Sequence, residues 1–106
     1  MWAQLISMRA KPGKEGDLPG LFGQLDDFEQ PGSGLLRTMA MQDQNDPSRA
    51  FVLVVFESEE KARAREQDPR REEGLKSMQA TMAEFFEGPP AFVDLTVLQD
   101  RANAEH

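Results

Sequence analysis

The side chain best placed for acid–base chemistry is that of Asp94, which stands between Val93 and Leu95 in an otherwise apolar stretch. A carboxylate on a buried sheet face has a raised pKa, so it can accept a proton from a bound molecule. Arg37 lies in a second, largely apolar stretch, where a guanidinium can hold a phenolate or carboxylate of a ligand. Both residues also have a structural interpretation, in which Asp94 faces solvent or pairs with Arg9 or Arg37. The residue types alone leave both interpretations open.

Aromatic and methionine side chains form the second group of candidates, because they can bind a flat apolar ring. Trp2 and Phe56 offer stacking faces. Methionines give an adaptable lining, and those at suitable spacing are Met8, Met39, Met78 and Met82. The same residue types at strand or helix spacing also build an ordinary core, so packing is the competing interpretation.

Composition excludes many classes of function. The chain has no cysteine and no tyrosine, and its single histidine is His106, so we expect no disulfide, no thiolate chemistry and no metal site. The net charge of −7 repels phosphate backbones and anionic lipids, so neither nucleic acid nor membrane is an expected partner. The longest apolar run, Ala50–Phe56, is too short for a membrane span, and the N-terminus lacks the pattern of a signal peptide. These features predict a cytoplasmic protein.

Hydrophobic periodicity predicts four strands and two helices in the order β-α-β-β-α-β. We expect strands at 2–10, 35–42, 49–57 and 91–98, a first helix around 18–28, and a second from 59 to 86 that is interrupted at Asp68-Pro69. This order is the α+β ferredoxin-like fold, in which both helices cover one face of a four-stranded antiparallel sheet. We therefore expect a single domain over residues 1–106, with 99–106 as a frayed tail.

The third predicted strand is apolar on both faces, since Phe51, Leu53 and Val55 alternate with Val52, Val54 and Phe56. Two helices can cover only one side of the sheet, so the other apolar side would lie in water. Coverage by a second copy of the chain explains this pattern. The sequence thus predicts a homodimer that forms through the sheet faces. The alternative is that the third strand is simply more hydrophobic than its surroundings require and has no partner.

Several short motifs, taken in order, resemble the antibiotic biosynthesis monooxygenase family of the dimeric α+β barrel superfamily. The resemblance runs from residue 2 to about residue 98, and the motifs that carry it are Lys11-Pro12-Gly13-Lys14-Glu15, Pro31-Gly32-Ser33-Gly34, Phe56-Glu57-Ser58-Glu59-Glu60 and Asp68-Pro69. It implies a homodimeric barrel and a pocket in each subunit between the sheet and its own helices. Members include cofactor-free oxygenases of aromatic polyketides and quinols as well as haem-degrading enzymes, so the fold does not fix one activity.

The haem-degrading members differ from this chain at the positions that matter. They use an asparagine on strand one and a tryptophan and a histidine on the second helix, and these positions fall near Ile6, Ala64 and Gly74. None of the three residues matches, so the sequence predicts no functional haem site. At the end of strand three, where members often have tryptophan, Phe56 keeps a stacking face but lacks the indole donor.

The resemblance therefore implies a cofactor-independent monooxygenase of a small hydroxylated aromatic or quinol substrate. The expected substrate-binding residues are Trp2, Ile6, Met8, Arg37, Phe56, Met78 and Met82, with Asp94 as the catalytic base. One alternative is a non-catalytic dimer that binds a small ligand. Another is a different enzyme of the superfamily, such as an isomerase or a cyclase-like protein of aromatic metabolism.

Overall fold

One four-stranded antiparallel sheet, with strand order β2-β3-β1-β4, forms the framework of the chain. The computed structural model describes residues 1–25 and 34–102. The elements are β1 (Trp2–Arg9), α1 (Leu18–Leu25), β2 (Leu35–Gln42), β3 (Arg49–Phe56), α2 (Glu59–Glu66), α3 (Glu72–Phe85) and β4 (Ala91–Thr96). Short 3₁₀ turns at Glu15–Asp17 and Pro69–Arg71 precede α1 and α3. The predicted α+β ferredoxin-like fold is confirmed.

The second predicted helix divides into α2 and α3, as its capping residues indicate. The hydroxyl of Ser58 accepts a hydrogen bond from the backbone N–H of Lys61 at 3.2 Å and caps α2. Asp68 caps the following 3₁₀ turn by accepting from the N–H of Arg70 at 2.9 Å, and Pro69 occupies the first position of that turn. Local chemistry thus sets the start of α2 and the start of the 3₁₀ turn that precedes α3.

Several predicted boundaries differ from the structure or lie outside its described residues. The ends of β1, β3, α3 and β4 each come one or two residues earlier than predicted, at Arg9, Phe56, Phe85 and Thr96. Residues 97–102 form no helix or strand. The predicted end of the first helix, the Pro31-Gly32-Ser33 turn and the last residues of the predicted tail fall within 26–33 and 103–106, outside the described residues.

Gly34 joins the start of β2 to the start of α2 at close range. Its φ is +83°, a conformation that side chains with a Cβ rarely adopt. Its carbonyl oxygen accepts a hydrogen bond from the N–H of Glu57 at 2.9 Å. A Cβ at this position would lie 2.8 Å from Cβ of Lys61. Both the backbone conformation and the close approach therefore require glycine.

The strand register assigns every strand residue to one of two sheet faces. Directly opposed residues share a face, and Gln4 lies opposite both Val54 of β3 and Asp94 of β4. These residues define the helix-covered face. Leu5 lies opposite Leu53 and Val93 on the other side, which we call the open face. The prediction that β3 carries apolar residues on both faces is thereby confirmed.

Among the described residues, the core on the helix-covered face consists of two clusters of buried residues. The larger one packs β1, β3 and α1 together and includes Met8, Ala10, Leu18, Leu21, Ala50 and Phe86. The smaller one lies at the other end of the sheet and consists of Trp2, Val54, Phe56 and Ala62. Partly buried Val52 packs against both clusters. The helix-covered side therefore has a gap in its middle.

The open face exposes large apolar side chains. Val93 is 50% exposed and Met39 is 40% exposed, and Met41 and Leu95 are similarly accessible. Exposed apolar patches of this kind are typical of protein interfaces. The homodimer nevertheless stays a prediction, because the structure contains one chain. None of the described helices is long and apolar enough to cross a lipid bilayer.

Candidate functional site

A cavity of about 1020 Å³ lies between the helix-covered face of the sheet and the helices, at the gap between the two core clusters. Its walls are mostly apolar side chains from β1, β3 and α3 and from the segment that follows α3. The sheet contributes Trp2, Ile6, Met8, Val52, Val54 and Phe56, and the opposite wall contains Leu75, Met78, Met82, Ala83 and Phe86. A cavity with this lining suits a ligand with a large apolar surface.

Six of the seven residues expected to bind substrate line this cavity. They are Trp2, Ile6, Met8, Phe56, Met78 and Met82. Their proximity follows from the register, which places Trp2 opposite Phe56 and Ile6 opposite Val52, and from the helical spacing of the two methionines. Whether they bind a ligand stays a prediction.

Arg37 is the exception, and its placement corrects the sequence analysis. A β-bulge between Leu35 and Arg37 changes the register, so that Leu35 lies opposite Phe56 but Arg37 lies opposite Val55 on the open face. In an unbroken alternation, Arg37 would share the face of Leu35. Because of the bulge, Thr38 and Ala40 line the cavity instead.

The same register shift corrects the expectation that Met39 lines a ligand site. Met39 lies opposite Leu53 on the open face and is exposed there. After the bulge, β2 therefore contributes a small hydroxyl and a methyl side chain to the cavity, rather than a guanidinium and a thioether.

Asp94 also differs from the expectation of a buried base with a raised pKa. Its carboxylate is about half exposed, and it accepts hydrogen bonds from the side-chain amide of Gln4 and from the guanidinium of Arg63, both at 3.0 Å. The Gln4 hydrogen bond, followed by the Arg63 contacts, holds the pKa of Asp94 below its ordinary value. The expected rise in its pKa is therefore wrong, because the hydrogen bonds from Gln4 and Arg63 outweigh the opposing effect of desolvation.

The expected ion-pair partners of Asp94 are corrected as well. Arg9 donates instead to Asp46 at 3.1 Å and to Ser48 at 2.8 Å, at the other end of β1. Arg37 lies on the open face, away from the side of the sheet that Asp94 shares with Gln4.

Two arginines of α2 lie over the aromatic end of the cavity. The rings of Trp2 and Phe56 are 6.1 Å apart and tilted by 50°. The guanidinium carbon of Arg63 is 5.1 Å from the centre of the Trp2 ring, and that of Arg65 is 5.4 Å from the centre of the Phe56 ring. Both distances are within the range of cation–π attraction.

These arginines were not among the candidates from the sequence, where the segment 61–65 has the mixed charges of a solvated helix face. Their position in the sequence, shortly after the end of the third strand, is the signal that could have identified them. Ser58 starts a helix directly after Phe56, so the first turns of that helix must pass over the end of β3.

Polar groups in the lining are few. They come from Gln4, Thr38, Arg65, Glu66, Arg71 and Gln79. One Arg71 nitrogen donates to the backbone carbonyl of Arg65 at 3.4 Å, and Glu66 accepts from Arg63 at 3.4 Å. Among the described residues no cluster of carboxylates or histidines has metal-binding geometry. The arrangement can bind an aromatic ring and orient it with a few polar contacts.

Comparison with known proteins gives matches to solved structures. No protein-family model and no curated protein matches the sequence. The chain matches a protein of unknown function from Nitrosomonas europaea with a TM-score of 0.75 and 21% identity, over 97% of this chain and 94% of that one. It matches a protein from Bordetella bronchiseptica, proposed to be an antibiotic biosynthesis monooxygenase, with a TM-score of 0.75 and 16% identity, over 92% of this chain and 97% of the other.

A third match concerns a protein solved with a bound porphyrin. A mutant of MhuD, which holds two manganese protoporphyrin IX molecules per active site, matches with a TM-score of 0.72 and 17% identity, over 97% of this chain and all of the other. At these identities the likeness concerns the fold. The expectation drawn from the sequence motifs is confirmed at that level: the chain has the α+β fold of the structures named as antibiotic biosynthesis monooxygenases.

Proposed function

We propose that the chain is a cofactor-independent monooxygenase of the antibiotic biosynthesis monooxygenase type, acting on a small hydroxylated aromatic or quinol substrate in the cavity. The observation that carries the proposal is an apolar cavity of about 1020 Å³ with the Trp2–Phe56 pair at one end. Its volume is at the upper end of the roughly 300–1,000 Å³ of ligand pockets, enough for a fused-ring compound. Proteins proposed to be antibiotic biosynthesis monooxygenases share the fold.

The reaction needs no external reductant, because the substrate supplies the electrons. In an anthrone-type substrate, a ring-activated CH₂ group loses a proton and its carbanion forms a C–O bond to dioxygen. Protonation of the distal oxygen gives a hydroperoxide. Loss of the second C–H proton then breaks the O–O bond, leaving a C=O group and releasing water. The protein must bind the ring, accept a proton and keep water away from the carbanion.

In this proposal the proton acceptor is Glu66 rather than Asp94. Glu66 contributes the carboxylate among the described lining residues, whereas Asp94 is not part of the lining. The Glu66 side chain is about half exposed, so it can pass a proton on to solvent. Gln4, Thr38 and Gln79 are the uncharged polar side chains that can orient a substrate hydroxyl.

Trp2 fluorescence and oxygen uptake test the proposal with a panel of quinols and anthrones. Trp2 is the single tryptophan, so its emission reports directly on the cavity. We expect a saturable change in emission, and Phe56→Ala should weaken binding about five- to tenfold by removing a stacking face. The bound compounds should consume oxygen, and Glu66→Gln should lower kcat at least tenfold with little change in binding. Glu84→Gln, on the exposed side of α3, is the control.

A non-catalytic protein that binds the same compounds is the second candidate. The observation in its favour is that the carboxylate of Glu66 is already paired with Arg63 at 3.4 Å. Saturable binding without oxygen uptake would support this candidate over the monooxygenase. A turnover product of unchanged mass would instead indicate an isomerase, because oxygenation alone adds an oxygen atom. A panel that neither binds nor consumes oxygen would contradict the proposal.

A further inference from the structure

The side-chain amide of Gln4 is a polar group in an apolar part of the cavity wall. Gln4 is partly buried and lines the cavity. On β1 it shares a sheet face with Trp2 and Ile6, and it lies opposite Val54 of β3. Two residues along a strand advance by only about 6–7 Å. A ring stacked beside Trp2 would therefore have its edge near this amide.

Asp94 fixes the orientation of the Gln4 amide. The two residues form a directly opposed pair between β1 and β4, and Gln4 Nε2 donates to Asp94 Oδ1 at 3.0 Å. This hydrogen bond is the main cause that holds the pKa of Asp94 below its ordinary value, so the carboxylate is ionised at neutral pH. An ionised carboxylate only accepts hydrogen bonds. The reversed amide would set its oxygen against the carboxylate, so the nitrogen faces Asp94.

Arg63 in turn holds the carboxylate of Asp94 from the helix side. One Arg63 nitrogen donates to Asp94 Oδ2 at 3.0 Å, so the two carboxylate oxygens have different partners. The same guanidinium carbon is 5.1 Å from the centre of the Trp2 ring. Rotation of the carboxylate would cost both hydrogen bonds, and the three side chains therefore form one oriented chain from α2 to the cavity wall.

This chain leaves the amide oxygen of Gln4 as an acceptor. The nitrogen and oxygen of an amide diverge from one carbon, so when Nε2 faces Asp94, Oε1 faces away from β4. No described residue donates a hydrogen bond to Oε1. A carbonyl oxygen accepts a hydrogen bond from a hydroxyl group, whereas an ether oxygen or a phenolate has no proton to donate. The Gln4 amide can therefore distinguish ligands by the presence of that proton.

We propose that Asp94 is a positioning residue that holds the Gln4 amide oxygen toward the cavity, and that this oxygen selects a substrate with a protonated ring hydroxyl. The inference rests on the proposed function, because it assumes that the aromatic ring occupies the cavity. It narrows the substrate class. The hydroxyl bound at Gln4 keeps its proton, so the proton that Glu66 accepts comes from another group, as from the CH₂ of an anthrone.

Equilibrium dialysis with two matched compounds tests this inference near neutral pH. The probes are 2-naphthol and its methyl ether, 2-methoxynaphthalene, which keeps the ring and the oxygen but has no proton to donate. The measured quantity is the ratio of the two affinities within each variant, because the ether leaves water more readily than the naphthol. Gln4→Met keeps the length of the side chain and removes the amide. It should weaken naphthol binding alone and lower the ratio at least about threefold.

Asp94→Asn should change the ratio in a different way. Arg63 only donates hydrogen bonds, so it attracts the oxygen of the new amide and turns the NH₂ group toward Gln4. The Gln4 amide then reverses and presents its own NH₂ group to the cavity. Because this group can donate to the ether oxygen, the ether should bind at least about twofold more tightly than to the unmodified protein. A merely structural role of Asp94 would weaken the binding of both compounds.

The matched control is Glu59→Gln. Glu59 also accepts from Arg63, at 3.3 Å, but it does not line the cavity. It lies on α2, whereas the hydrogen bond of the Gln4 amide is to Asp94. This variant should leave the ratio unchanged, and it shows whether a loosened Arg63 above Trp2 is sufficient to alter binding.

The outcomes separate this inference from the proposed function. A ratio that does not fall in Gln4→Met would overturn the inference while leaving the aromatic site intact. Equal weakening of both compounds by Asp94→Asn, or a change in Glu59→Gln as large as that in Asp94→Asn, would overturn the positioning role. If neither compound binds the folded protein, the aromatic site itself is wrong, and the inference fails with it.

Discussion

Arg63 makes more charged contacts than its position on a short surface helix suggests. Its guanidinium lies within 3.4 Å of the carboxylates of Glu59, Glu66 and Asp94, and over the Trp2 ring. The Asp94 hydrogen bond is the main cause that raises the pKa of Arg63, while the same contact helps to lower that of Asp94. This one side chain therefore connects α2 to the edge strand β4 across the end of the cavity.

Replacement of Asp94 by asparagine should change the acid sensitivity of the protein rather than its turnover. A carboxylate whose pKa is lowered on folding stabilises the native state above its unfolded pKa of about 3.9, and this contribution is lost as pH falls through the folded value. Asp94→Asn should therefore reduce the fall in Tm between pH 5 and pH 2.5. Asp100→Asn, in the segment after β4, is the control.

The two readouts separate the roles of Asp94. A kcat within twofold of the unmodified protein is expected, because Asp94 lies outside the cavity lining. A tenfold or larger loss of kcat with unchanged binding would contradict this and restore Asp94 as a base.

At the residue scale, the sequence predicts apolar site residues better than polar ones. Trp2, Ile6 and Met78 are found from periodicity, since burial follows a regular spacing. Arg37 is misplaced because a single bulge reverses the alternation along β2. Arg63 is missed because its role depends on β4, which is distant in sequence. The role of a polar side chain depends on its hydrogen-bond and ion-pair partners, and the tertiary structure decides which residues these are.

At the scale of the elements, the junction at Gly34 fixes how β2 meets α2. The glycine has φ of +83° and its missing Cβ leaves room for the Lys61 side chain. The hydrogen bond from Glu57 to the Gly34 carbonyl closes the same corner at 2.9 Å. The position of α2, and hence of the arginines above Trp2 and Phe56, depends on this contact.

Gly34→Ala should destabilise the protein by about 1–3 kcal/mol. The cost combines a strained positive φ with the approach of the new Cβ to within 2.8 Å of Lys61 Cβ. Urea denaturation monitored by circular dichroism measures the change. Gly20→Ala is the opposing control, because Gly20 lies inside α1 and no described atom beyond its own stretch of helix lies within 4 Å of the place its Cβ would take. A helical alanine there should stabilise the protein by roughly 0.5–1 kcal/mol. Equal effects of the two substitutions would contradict the argument.

The start of α2 and the start of the 3₁₀ turn before α3 are the boundaries that the sequence predicts best. Ser58 and Asp68 have the side-chain oxygens that helix and turn N-termini need, and each is followed by its expected hydrogen-bond donor. The cavity is harder to predict. The stripe of Leu75, Met78 and Met82 has the spacing of a packed helix face, and the spacing does not reveal that the space in front of it is open.

At the scale of the whole molecule, the open face predicts association. Leu5, Leu53 and Val93 lie side by side across three strands, and no described helix covers them. We expect a homodimer of twice 11.9 kDa in sedimentation experiments at low micromolar concentration. Leu53→Glu should shift the protein to monomer, since it places a charge in the centre of the apolar face.

The control for this prediction is Glu84→Lys on the exposed surface of α3, which should leave the dimer intact. A monomer of 11.9 kDa for the unmodified protein would contradict the dimer. If Leu53→Glu remains a dimer, another surface must form the interface.

The two core clusters lie at opposite ends of the sheet. We therefore expect one end of the molecule to unfold locally while the other end stays folded. In α2, Ala62 is the one buried residue, so this helix is held to the sheet by few apolar contacts. Its amide hydrogens should exchange with solvent faster than those of central strands β1 and β3, through local opening that leaves the larger cluster folded. A ligand that touches both clusters would couple the two ends, and hydrogen-exchange mass spectrometry should then show slower exchange in α2. Access to the cavity and cooperativity of the fold would thus be controlled by the same helix.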